Sequence, residues 1–104
     1  RRAIRLAVSD DLEGPYTIIE GPLNGGQIVH VITEGPSVTA AIGGEGWLLY
    51  YDFCMTDRFG VSYSGNLTDW SAIEDASFPS EARHGTVSVI SHDQAEKLIG
   101  AYGM

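Results

Sequence analysis

Apolar and β-branched runs fall at residues 3–9, 16–19, 28–32, 38–42, 47–55, 59–64 and 86–90, separated by clusters of Gly, Pro, Asn and Asp. Short runs broken at short intervals by turn residues predict an antiparallel all-β chain. The tail "SHDQAEKLIGAYGM" departs from this pattern. Ser91 with Gln94 three residues on is a capping-box pattern, and Gly100 is placed to cap a C-terminus, so one short helix is predicted over 93–99. No apolar stretch reaches the roughly 18 residues of a membrane span, and the Arg1-Arg2 start lacks the apolar run of a signal peptide. The pattern therefore predicts a soluble chain with neither.

The pattern also repeats. "VSDDLEGPY" (8–16) resembles "YSGNLTDW" (63–70): Ser9 falls on Ser64 and Leu12 on Leu67, an offset of 55, and Tyr16 or Trp70 closes each unit. Separately, "EGPSVTAAI" resembles "HGTVSVI", with Glu34 falling on His84 and Gly35 on Gly85, an offset of 50. Two similarities with nearly one period predict a supersecondary unit of roughly 50 residues, the size of a propeller blade. In blades of four antiparallel strands, 3–9 and 16–19 are the last two strands of one blade. Strands at 38–42, 47–51, 59–64 and near 70–73 make a complete blade, and 86–90 is the innermost strand of a third.

The 104 residues suffice for one small domain with a modest core. Fourteen acidic against six basic residues give a net charge of −8. This argues against nucleic acid or an anionic membrane as partner, since both need a basic footprint. Cys54 is the single cysteine and lies in an apolar run, which predicts a buried bystander rather than a nucleophile. Gly43-Gly44-Glu45-Gly46 reads as a hairpin loop, because it lacks the lysine and following helix of a phosphate cradle.

Glu-Gly-Pro occurs at Glu13-Gly14-Pro15, Glu20-Gly21-Pro22 and Glu34-Gly35-Pro36. Gly-Pro is turn punctuation, but only the third copy has a counterpart in the next repeat, and that counterpart, His84, is itself titratable. "VITEGPSV", "GWLLYYD", "FGVSYSGNLTDW" and "FPSEARHGTVSVI", taken in that order with the closing helix, resemble glycoside hydrolase family 43, the five-bladed propeller arabinosidases and xylosidases. The resemblance spans the chain but matches only the C-terminal part of such a catalytic domain. It implies an incomplete β-propeller of about two blades: 1–27 the end of one blade, 28–80 a complete blade, and 81–104 the inner strand of the next with a terminal helix.

The resemblance also implies roles. Family members cleave arabinose- or xylose-containing glycans with an aspartate base, an aspartate modulator and a glutamate acid. Glu34 matches the acid, and the base and modulator have no match in this chain. A glycosidic oxygen leaves only when protonated, so the acid must hold a proton that an exposed glutamate, titrating near about 4.3, has lost. The channel end of an inner strand suits this role, whereas Glu13 and Glu20 read as turn residues. His84 matches a channel histidine that contacts a central calcium through water; capping its own strand is the competing reading. Arg83 suits a carboxylate or a sugar hydroxyl, or an exposed turn. The loop 52–58 shares a face with Glu34 in this layout, making Asp52, Phe53 and Arg58 sugar contacts. Trp47 and Trp70 read as packing residues, and His30 and His92 as solvent-facing.

The expected function is thus a fragment or truncated form of a glycoside hydrolase, carrying the acid without its base and inactive alone. No cofactor is required, and calcium is the candidate ion. A noncatalytic carbohydrate-binding or self-assembling blade module is the alternative, and an unrelated small β-sandwich is a second. Open strand edges predict a homo-oligomer, with the strand near Val87 pairing the edge near Leu6 of a neighbour.

Overall fold

The computed structural model describes residues 3–19, 32–56 and 58–103. The described residues are mostly strands in antiparallel sheets, with one C-terminal helix among them. Strands β1 (Ala7–Val8) and β2 (Thr17–Ile18) form a two-stranded antiparallel sheet. Strands β3 (Glu34–Ala40), β4 (Trp47–Phe53), β5 (Arg58–Ser64) and β6 (Ser71–Ala72) form a four-stranded antiparallel meander in sequence order. Helix α1 spans His92–Tyr102.

Side-chain alternation divides the meander into two faces. Leu49, Tyr51 and Phe53 lie on one face and Tyr50 and Asp52 on the other. The register carries this across to β5, where Tyr51 faces Gly60 and Asp52 faces Phe59. On the first face Leu49, Tyr51 and Trp70 are buried with Ile4, and Leu6, Trp47 and Phe53 pack around them. Both tryptophans are thus packing residues, as their positions suggested. The opposite face carries a ring cluster: Phe78 meets Tyr50 and Phe59 edge-on, with centroids 6.2 and 5.2 Å apart. That contact brings the irregular segment after β6 back over the sheet.

Both copies of the Ser-x-(Asp/Asn)-Leu unit fold alike. Ser9 Oγ accepts from Asp11 N at 3.1 Å, and Ser64 Oγ accepts from Asn66 N at 3.2 Å. The closing aromatic then donates to the carbonyl of the matching leucine: Tyr16 Oη to Leu12 O, and Trp70 Nε1 to Leu67 O at 3.1 Å. The hairpin β1–β2 is therefore the counterpart of β5–β6.

Several boundaries differ from the sequence reading. The third strand begins at Glu34 and ends at Ala40, not 38–42. Residues 86–90 form no assigned strand; Val87 N instead donates to Ser37 Oγ at 3.2 Å. Ser91 and Gln94 form the expected capping box, but the helix runs past Gly100 to a left-handed cap at Gly103. None of its residues is buried. His92 is exposed and pairs with Glu96 at 3.0 Å, and Cys54 is half-buried. Glu20, His30 and most of the run 28–32 lie outside the described residues. Among the described residues no helix is long and apolar enough to cross a membrane.

Within the core, Tyr51 Oη and Ser62 Oγ are 2.9 Å apart and buried, and burial raises the Tyr51 phenol above its ordinary range. Removing one partner leaves the other hydroxyl buried without a mate. Tyr51→Phe and Ser62→Ala are each expected to cost about 1–2 kcal/mol, and the double variant less than their sum. Urea unfolding of the four proteins checks this; additive losses would show that the hydroxyls act independently.

Candidate functional site

Glu34 reaches its position through a β-bulge. Ser37 faces Tyr50 and Glu34 faces Asp52, so Gly35 and Pro36 together oppose Tyr51 alone. The additional residue turns Glu34 onto the face that carries Asp52; in unbroken register it would lie on the opposite face. Gly35 supplies the left-handed backbone the bulge needs, with φ +63°. Pro36 is tolerated because β3 is an edge strand. Glu13, by contrast, sits exposed before its Gly-Pro and belongs to no strand. The same tripeptide is a turn at one position and a bulge at another.

Opposite the bulge, Asp52 gathers the C-terminal segment. Arg83 Nε donates to Asp52 Oδ2 at 2.6 Å, and the backbone N–H of His84 donates to the same oxygen at 3.3 Å. The carboxylate has no exposed surface while the Arg83 side chain is half exposed. Burial pushes the Asp52 carboxyl upward, but the Arg83 hydrogen bond, the His84 N–H and the two nearby positive groups outweigh it and hold the group below its ordinary value. Asp52 is accordingly ionised. Its other oxygen, Oδ1, and Thr33 Oγ1 are buried without a hydrogen-bond partner among the described residues.

The clamp at Asp52 sets the imidazole of His84 over Gly35. A Cβ on Gly35 would lie 2.8 Å from His84 Nδ1, so glycine is needed for both the backbone and the space. His84 Nε2 then lies 3.4 Å from Glu34 Oε1 and 3.7 Å from Asp52 Oδ2. With its proton on Nε2 the imidazole donates to the carboxylates. Gly35, Pro36, His84, Gly85 and Thr86 line an open groove of about 420 Å³ beside Glu34.

Four of the six residues singled out from the sequence, Glu34, Asp52, Arg83 and His84, come together here. Phe53 and Arg58 do not. Phe53 closes β4 and Arg58 opens β5, so the expected loop 52–58 shrinks to the stretch between these strands. The two face each other in register on the side opposite Asp52, with the Arg58 guanidinium 4.8 Å from the Phe53 ring centroid. They line a separate cleft of about 430 Å³ with Tyr51, Gly60, Glu74 and Phe78, which Glu34 does not reach. The role of Asp52 as a clamp was missed, because its partners lie 31 and 32 residues away and no local pattern marks them.

Among the described residues the side chains around His84 form no direct cage for calcium, which prefers oxygen ligands. Among the described residues no group of three or more His, Cys, Asp or Glu could hold a metal ion, and the Arg83 guanidinium already supplies the positive charge at Asp52. No family of known proteins, no curated protein and no solved structure matches the chain.

Two outcomes follow from this geometry. Gly35→Ala is expected to lose about 1–2 kcal/mol from the left-handed backbone and to displace the His84 ring. Gly44→Ala, where a Cβ meets only Ile42 O at 3.9 Å, should stay within about 0.5 kcal/mol of wild type. Urea midpoints and the His84 ring resonances report both, and equal effects at the two glycines would rule out the bulge constraint. The second outcome concerns pH. The folded-state pKa of Asp52 is depressed below its unfolded value of about 3.9. Its stabilisation is therefore full above that value and is lost as pH falls through the lower folded-state value. The stability gap between wild type and Asp52→Asn should be constant from neutral pH to about 4 and narrow below it. A gap unchanged in strong acid would show that ionisation of Asp52 contributes nothing.

Proposed function

We propose that this chain carries the acid half of a carbohydrate-active site, as part of a glycoside hydrolase of the family 43 type acting on arabinose- or xylose-containing glycans. The observation that carries the reading is the bulge at Gly35-Pro36, which puts Glu34 on one face with Asp52 and under His84. A proton donor for a glycosidic oxygen must be accessible and held in a fixed orientation. The Glu34 side chain is about 30% exposed and lies 3.4 Å from the imidazole of His84, which lines the groove. The meander β3–β6 has the strand order of a propeller blade, which supports the same family.

Asp52 does not supply the base. It has no exposed surface, and one of its oxygens is committed to Arg83 and the His84 N–H, so it cannot take a proton from an attacking water. In this reading the base comes from residues other than those around the groove, and the isolated chain binds saccharide without cleaving it. The clamp on Asp52 equally favours the second reading, a noncatalytic carbohydrate-binding module. One properly placed acid contributes about 10²–10⁴-fold, well short of what glycoside cleavage requires.

Titration calorimetry with xylo- and arabino-oligosaccharides, run beside a reducing-sugar assay, tests this. Binding without turnover is expected, and Glu34→Ala should weaken binding on the order of 10-fold through loss of a hydrogen-bond partner. Absence of binding to both sugar classes would sink the carbohydrate reading. Release of sugar that depends on Glu34 would instead show that the chain supplies its own base.

A further inference from the structure

The two hairpins of the repeat differ in one respect. β5 is covered on its outer edge by β4, antiparallel to it, whereas its counterpart β1 pairs only with β2 among the described residues. A two-stranded sheet alone is marginal in water. This one is also exposed: Val8, Leu12, Tyr16 and Ile18 have 46, 92, 56 and 61% of their surface in contact with solvent.

The direction of the open groups is fixed by the ladder. Ile19 N donates to Leu6 O at 2.9 Å, and β1 and β2 continue in register from Ala7 opposite Ile18. Hydrogen-bonded pairs alternate along an antiparallel ladder. Leu6 and Val8 therefore direct their backbone groups toward β2, and the N–H and C=O of Ala7 face the open edge. An antiparallel strand is what covers the matching edge of β5.

We propose that this edge is closed by a second copy of the same chain, β1 pairing with β1 of its partner across a two-fold axis at Ala7. The two alanines exchange both N–H···O=C bonds, and the two hairpins become one four-stranded antiparallel sheet. Charge makes the strand complementary to itself in this orientation. Arg5 precedes β1, and Asp10, Asp11 and Glu13 follow it, so antiparallel pairing brings Arg5 of each copy to the acidic turn of the other. A parallel arrangement would place like charges together. The alternative edge, the segment around Val87, already donates its N–H to Ser37 of its own chain.

The proposal is independent of the sugar chemistry and is tested without it. Light scattering and sedimentation on wild type from low to high micromolar concentration should give twice the chain mass at the upper end. Ala7→Pro removes the outward donor while leaving the bonds to β2, and should raise the dissociation constant by on the order of 10-fold or more. In a Cys54→Ser background, Ala7→Cys should form an inter-chain disulfide under mild oxidation, and Ile18→Cys on β2 should not. These single-cysteine variants report the pairing even if the proline variant fails to fold. A wild type that remains monomeric throughout, or a dimer in which Ile18→Cys cross-links as readily as Ala7→Cys, overturns the proposal.

Discussion

The segment between β6 and α1 is oriented on the sheet by one buried carboxylate oxygen. Between β6 and α1 there is no further assigned strand or helix, so this stretch depends on side-chain contacts for its path. Phe78 holds its middle against Tyr50 and Phe59, Ser37 takes the Val87 N–H, and Asp52 Oδ2 takes both Arg83 and the His84 backbone. Of these, the Asp52 contact is the one that fixes orientation. A buried ion pair adds little net stability, since desolvation offsets attraction, but losing one partner leaves a charge stranded. The effect of the pair is positional: with the His84 N–H on Asp52, the imidazole has few places to go except over Gly35.

What could be read from the sequence was what is local. The Ser-x-(Asp/Asn) turns close through bonds spanning two residues, and the aromatic that ends each unit reaches a carbonyl three or four residues back. Such motifs form from their own residues, so a similarity of letters at an offset of 55 became a similarity of hydrogen bonds. The capping box at Ser91 is of the same kind. The offset of 50 had a different outcome: Glu34 and His84, equivalent in the repeat, are brought within 3.4 Å of each other.

What escaped was set by position in the sheet. Gly35-Pro36 read as a turn, which put the strand start four residues late; on an edge strand the same dipeptide is a bulge within the strand. Ile42, assigned to that strand for its hydrophobicity, lies beyond it with 82% of its surface exposed. Gly100 looked like a helix end, but an interior glycine costs only about 1 kcal/mol, and the chain continues to Gly103. Phe53 and Arg58 were placed with Glu34 because a loop joining the second and third strands returns to the end of the blade where Glu34 stands. As strand residues they obey alternation, and alternation sends them to the other side.

That separation determines what the Glu34 groove can use. The Phe53 ring lines a different cleft from the groove beside Glu34. The groups available beside Glu34 are Arg83, His84, Thr86 and the backbone of the bulge. Glu34 opens β3, His84 lies in the irregular segment after β6, and the clamp between them, Asp52, sits on β4. The groove is thus a property of the junction between the sheet and that segment, and neither contains it alone. It forms because the bulge turns the Glu34 carboxylate to face the imidazole that the Asp52 clamp holds over Gly35.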